Sequence, residues 1–241
     1  MSRYVALGSS FAAGPGLGSG AGYPHLVAER LGLDLVDVSR SGATTAHVLR
    51  ESQSGRPPQI QALDGSEELV TVTIAGNDVG MSLRTMMAGL PRWVGRLPVV
   101  RSRVADMFVP AAYEPALAGV GAALRDVAYA IRERSPQARV VLVDYLTVLP
   151  PHGVPAPPLS PEHADVVRGI AARLRDATAE AAAAEGCLIV TAAAASVDHH
   201  AWSEEPWTTG ARWPLPKRPL AYHPNANGMR AVADLVVESL A

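Results

Sequence analysis

Tyr4-Val5-Ala6-Leu7-Gly8-Ser9-Ser10-Phe11-Ala12-Ala13-Gly14 stands almost at the start of the chain, and it sets the reading of everything after it. An apolar run of strand length, Arg3 to Leu7, gives way at Gly8 to two serines and then to Ala12-Ala13-Gly14. A strand that ends in a glycine and a hydroxyl is the start of a βα unit whose turn faces solvent.

Working outward, the same alternation recurs. Gly22 to Leu31 reads as a helix and Leu33 to Val38 as a second strand. Leu69 to Ala75 is β-branched, ends at Gly76, and reads as a third strand. Pro115 to Arg134 is predicted helical, with Ala116, Val120, Ala123, Leu124, Val127 and Ile131 on one stripe. Arg139 to Val143 is a fourth strand, Pro161 to Glu185 an alanine-rich helix closed by Gly186, Leu188 to Thr191 a fifth strand, and Asn225 to Leu240 the last helix. Strands alternating with helices predict an α/β fold, a parallel sheet covered on both faces. The 241 residues fit one such domain, residues 1–241, and with 48% hydrophobic residues a sizeable core forms without staples.

Two stretches break the rhythm. Met81 to Pro110 carries Arg84, Arg92, Arg96, Arg101 and Arg103 against one acid, Asp106, among Met, Leu, Val and Trp93. Ser196 to Pro219 carries Trp202, Trp207 and Trp213 with four prolines. Both read as long connections, which often line sites. The basic stretch is read first as a solvated helix with snorkelling arginines. An acyl pocket wall built from Met81, Leu83, Met86, Met87 and Leu90, a lid, and a contact with an anionic membrane are the alternatives.

Net charge is −2, which leaves no nucleic-acid footprint. The single cysteine, Cys187, excludes an intrachain disulfide and reads as a buried structural thiol. The N-terminus lacks the layout of a signal peptide, and no run approaches the roughly 18 apolar residues of a spanning helix, so a cytoplasmic protein is expected. Gly14-Pro15-Gly16-Leu17-Gly18 has neither a P-loop lysine nor dinucleotide spacing. There is no firm membrane signal, and nothing in the chain sets an oligomeric state.

Ligands of open α/β sheets gather beyond the carboxyl ends of the strands. Ser9-Ser10 follows strand one, Ser41-Gly42-Ala43-Thr44-Thr45 follows strand two, Gly76-Asn77-Asp78 follows strand three, and Tyr222-His223-Pro224-Asn225 precedes the last helix. Acyl transfer needs each of these types. A serine becomes a nucleophile when a histidine takes its proton. Preorganised N–H donors, such as the Gly42 backbone, the Asn77 amide and the Ser10 N–H, lower the barrier by holding the oxyanion.

The blocks at 4–14, 41–45, 76–78 and 223–225 occur in an order that resembles the SGNH (GDSL-type) hydrolases over nearly the whole chain. That resemblance implies a three-layer, flavodoxin-like fold with strand order 2-1-3-4-5. It also implies a serine esterase with no cofactor and no metal, acting on a small-molecule ester, that uses Ser10 as nucleophile, His223 as base, and Ser10, Gly42 and Asn77 as the oxyanion hole.

The chain departs from the family in two places. An acidic neighbour of the nucleophile is Ser9 here, and the usual triad aspartate, three residues before the histidine, is Leu220. Three readings follow, in order of preference. The first is a Ser-His dyad with the Leu220 backbone carbonyl orienting the imidazole. The second recruits a distant acid, Asp198, Glu204 or Glu205, and the third is loss of hydrolysis, leaving an ester- or glycan-binding relative. An acyltransferase would share every catalytic residue.

Singly, each block has a plain structural reading: turn serines, an Asp78 or Asn225 helix cap, a satisfied surface histidine. Their joint arrival at successive strand ends is what favours chemistry. His25, His47 and Ser9 are given structural roles, His199-His200 a solvated loop, and Asp144 a turn.

Overall fold

The structure is a computed structural model and describes residues 2–90, 92–95, 97–211 and 219–241. Arg96 and Trp213, singled out in the sequence, lie outside the described residues.

Five strands form one all-parallel sheet in the order β2-β1-β3-β4-β5. They are β1 (Arg3–Gly8), β2 (Asp34–Asp37), β3 (Glu67–Thr73), β4 (Arg139–Val143) and β5 (Leu188–Val190). The helices are α1 (Ser10–Ala13), α2 (Tyr23–Leu31), α3 (Thr45–Leu49), α4 (Met81–Ala88), α5 (Arg92–Gly95), α6 (Pro98–Phe108), α7 (Glu114–Arg134), α8 (Pro161–Ala184), α9 (Ala192–Ala195) and α10 (Ala226–Glu238). This is the expected α/β architecture and strand order.

Consecutive residues of β1, β3 and β4 are buried, so both faces of the sheet are covered. α2 packs with α10, and α7 packs with α8. The stripe predicted on α7 is realised through Leu117, Val120, Leu124, Val127, Ala128 and Ile131, with Ala116 and Ala123 at its half-buried margin. The long helices start as their sequences dictate. Ser160 accepts from His163 N and Pro161 follows at the first helical position of α8, while Asn225 accepts from Asn227 N and Gly228 N to start α10.

Several polar groups inside the core are paired, whereas the buried Tyr222 and Thr208 hydroxyls have no partner among the described residues. The Tyr4 and Tyr23 phenols meet the Thr71 and Thr73 hydroxyls of β3. Gln59, almost fully buried, accepts from Gly8 N at 2.7 Å and donates to Gly8 O at 3.0 Å. Gly8 has φ 141°, and a Cβ there would lie 2.5 Å from Thr73 O, so only glycine lets β1 end against β3 at this spacing. The end of β1 is thereby fixed where Ser9 and Ser10 emerge.

Three expectations change. The stretch from 81 to 110 is largely helical, as α4, α5 and α6, although α6 buries none of its residues. Arg84 does not snorkel. It is buried and donates to the carbonyls of Val79, Met107 and Ala112, tying the start of α4 to the end of α6. The thiol of Cys187 is half-buried beside β5, and burial raises it. Among the described residues no single helix is long and apolar enough to cross a membrane.

Candidate active site

Four loops converge beyond the carboxyl ends of β1, β2 and β3. Ser10 is the first residue of α1, so its N–H has no intrahelical acceptor. Its Oγ lies 2.8 Å from His223 Nε2, across 213 residues of sequence. Both side chains are buried. On the other side of the ring, Nδ1 lies 2.8 Å from the Ala221 carbonyl oxygen. A carbonyl only accepts, so Nδ1 carries the proton, and the neutral ring offers Nε2 as acceptor to the Ser10 hydroxyl.

The orienting acceptor is therefore the carbonyl of Ala221, not that of Leu220. The Leu220 oxygen is taken by the Thr209 hydroxyl at 2.5 Å. Tyr222 adopts φ 58°, a left-handed conformation that turns the preceding peptide toward the ring. Residues 207–209 hold this turn. Thr209 N donates to His223 O, Tyr222 N to Thr209 O, and Asn225 N to Trp207 O. The distant acids do not join: Asp198, Glu204 and Glu205 are all exposed on the tryptophan-bearing loop. His199 stacks on Trp207 and His200 accepts from Trp202 N, so this pair shapes the same loop. Burial pushes His223 below the usual histidine range, and the Ala221 bond offsets part of that.

The oxyanion candidates lie on two braced loops. Gly42 has φ 79° in an exposed turn, and Asn77 Nδ2 donates one hydrogen to the next residue's carbonyl, Ala43 O, at 2.8 Å. A second amide hydrogen of Asn77 is left for a ligand. Asp78 is not a helix cap. Its carboxylate accepts from Thr45 N at 3.1 Å and from Thr45 Oγ1 at 2.5 Å, locking the Asn77 loop to the Gly42 loop.

Tyr145, just past β4, went unnoticed in the sequence. Its hydroxyl accepts from Gly76 N at 2.9 Å and meets Ser9 Oγ at 3.1 Å, joining the Ser10 turn to the Asn77 loop. A Cβ on Gly76 would come within 2.7 Å of the Tyr145 ring, so glycine admits this contact. The signal was available: Tyr145 follows a strand on the same rim, next to Asp144. Ser9 is structural, as expected. His47 completes the capping box of α3 with Thr44, and His25 sits 3.6 Å from Asp37. Asp144 accepts from Ala193 N at 2.8 Å at the start of α9, and burial raises it to about 6.

Beside this cluster a cleft of about 220 Å³ runs between α4, α8 and the loop after β4. Phe11, Tyr145 and Tyr222 form the wall nearest Ser10 and His223, while Met81, Val167 and Ala171 line it further off. Of the five apolar residues proposed for this role, Met81 alone lines it. Met87 and Leu90 border a second cleft, Met86 packs half-buried against the core, and Leu83 is exposed. Among the described residues no three His, Cys, Asp or Glu side chains are grouped for a metal ion.

Comparison with known proteins agrees with this fold. The chain is 32% identical to Lipase 2 of Streptomyces coelicolor, over 98% of this chain and 85% of that protein. The structures of phospholipase A1 from Streptomyces albidoflavus NA297 and of an extracellular lipase from Streptomyces rimosus superpose with TM-scores of 0.78 each. Both are 26% identical and cover 99% of this chain, with 99% and 100% of their own lengths matched. The family model of the GDSL-like lipases and acylhydrolases matches residues 6–231, and the chain belongs to that family of carboxylic ester hydrolases.

Proposed function

We propose that the protein hydrolyses fatty-acyl esters through an acyl-enzyme on Ser10, using a Ser-His dyad in place of a triad. The observation that carries this reading is the relay Ser10 Oγ to His223 Nε2, then Nδ1 to Ala221 O, with both links at 2.8 Å. His223 takes the hydroxyl proton as Ser10 Oγ bonds to the ester carbon. The carbonyl electron pair moves to oxygen, where the N–H groups of Ser10 and Gly42 and the Asn77 amide hold the oxyanion. The tetrahedral intermediate collapses, His223 protonates the leaving alcohol, and the acyl group stays on Ser10. Water, deprotonated by His223, then attacks the acyl-enzyme; the bond to Ser10 breaks, His223 returns the proton to Ser10 Oγ, and the acid is released.

A backbone carbonyl fixes the tautomer as an aspartate would, but it carries no net charge and stabilises the imidazolium less. Some rate is lost and the mechanism remains. The apolar cleft, which starts at Phe11, Tyr145 and Tyr222 and is not lined by Ser10 or His223 themselves, is suited to an alkyl chain, and the relatives are described as lipases and a phospholipase A1. A binding-only relative would not need a buried serine held against an oriented imidazole.

The test is turnover of an activated acyl ester by the wild type, Ser10→Ala and His223→Ala, with labelling by a serine-directed phosphonate. A burst followed by steady turnover, both lost in the variants, with the label on Ser10, is expected. Turnover that survives Ser10→Ala, or a label elsewhere, would overturn the assignment.

A further inference from the structure

The helices between 81 and 110 have a face that the proposed chemistry does not use. Here Leu83, Trp93, Leu97, Val99 and Val109 are all about half or more exposed, with Trp93 at 68% and Val99 at 69%. α6 has no fully buried residue, and it meets the core through the half-buried Phe108 at its end. Elsewhere among the described residues the exposed large apolar side chains are Tyr129, Val154, Leu188 and Val197, scattered over α7, β5 and two loops. A folded monomer seldom leaves so many large apolar groups in one stretch without a use.

The charge of this stretch is predominantly positive. Arg101 and Arg103 are exposed on α6 among the apolar residues, and Asp106 is the only acid between 81 and 110. Arg92 and Arg96 add to the same sign by sequence, on a chain whose net charge is −2. Arg84 is not available to a partner, because its guanidinium is bound to three carbonyls.

We infer that α5 and α6 form a docking surface for an anionic lipid–water interface. The segment lies flat, with Trp93 and Val99 among the acyl chains and the exposed arginines at the headgroup phosphates. It does not span: the 11 residues of α6 are about 16 Å long, roughly half a hydrocarbon core. α4 leads from this surface to the cleft, where Met81 and Thr85 form part of the wall, so docking sets the cleft beside the lipid. A second copy of the chain fits less well, because a two-fold contact would press this arginine-bearing face against itself.

Binding is measured by sedimentation with vesicles of phosphatidylcholine alone or mixed with phosphatidylglycerol. The Ser10→Ala protein is used so that the lipid stays intact, which also separates docking from the proposed hydrolysis. Binding to the mixed vesicles is expected to be at least about tenfold tighter and to weaken with salt. Two variant pairs, Trp93→Ala with Val99→Asp and Arg101→Gln with Arg103→Gln, should each weaken it by about tenfold. In the wild-type background the same pairs should leave the melting temperature and the turnover of a water-soluble short ester unchanged. No preference for the anionic vesicles would overturn the inference, as would binding that both pairs leave intact. A dimer in size-exclusion chromatography that both pairs dissociate would replace the lipid with a second copy.

Discussion

The imidazole of His223 sits between the Ser10 hydroxyl, which the proposed mechanism has it deprotonate, and a carbonyl that holds its tautomer. Because burial lowers its pKa, the ring stays neutral, and competent as a base, to a pH below the ordinary histidine value of about 6.5. The acid limb of kcat/KM against pH should therefore fall below that value, and a limb at or above 6.5 would contradict the burial account. Tyr145 acts one step away. Removing its hydroxyl in Tyr145→Phe strands the buried Gly76 N–H and frees Ser9, at a cost of about 1–3 kcal/mol in stability by denaturant unfolding. Because the hydroxyl braces the Asn77 loop while the ring that lines the cleft is kept in the variant, kcat should fall while KM changes little. An equal loss in KM would mean that Tyr145 binds substrate instead.

Among the elements, the loops after β2 and β3 work as one piece because Asp78 ties them through Thr45. Asp78→Ala should let the Gly42 turn drift from Asn77, and a displacement near 1 Å can cost up to about 100-fold in kcat. Single-turnover acylation would read the loss directly, with the fold intact by circular dichroism. Filling the cleft is a separate test. Ala171→Phe, on α8, should raise KM for a long acyl chain by roughly tenfold and leave an acetyl ester alone. Sequence patterns reached the strands because β1, β3 and β4 are apolar at successive buried positions, and they reached α7 because one face of it is buried. They did not resolve α4 to α6, and the reason is physical: the stripe of α6, Val100, Val104, Met107 and Phe108, is short and only half-buried, and the exposed Val99 beside it blurs the pattern. Ser10, Gly42, Asn77 and His223 were legible as side chains or glycines at strand ends. The acceptor for His223 was not, because the direction of a carbonyl depends on the φ of Tyr222, and no residue type announces a left-handed tyrosine.

At the scale of the whole molecule, two buried groups pull stability in opposite directions with pH. His223 has a lowered pKa, so below about 6.5 the unfolded chain takes up a proton that the folded protein refuses, and stability falls as the solution becomes acid. Asp144 has a raised one, about 6 against an ordinary 3.8. Between those values the folded protein holds a proton that the unfolded chain has lost, so stability falls as pH rises through the window and stays lowered above it. Asp144→Asn removes this second dependence while its side-chain oxygen still accepts from Ala193 N. Urea unfolding of wild type and variant at pH 5 and pH 7.5 isolates the effect, because His223 contributes equally to both proteins. The variant should lose less stability than the wild type between the two, and at pH 7.5 it should be the more stable by about 1–3 kcal/mol. If the two proteins kept the same difference at both values, the Asp144 carboxyl would be ionising in the ordinary range, with the start of α9 repaying its burial.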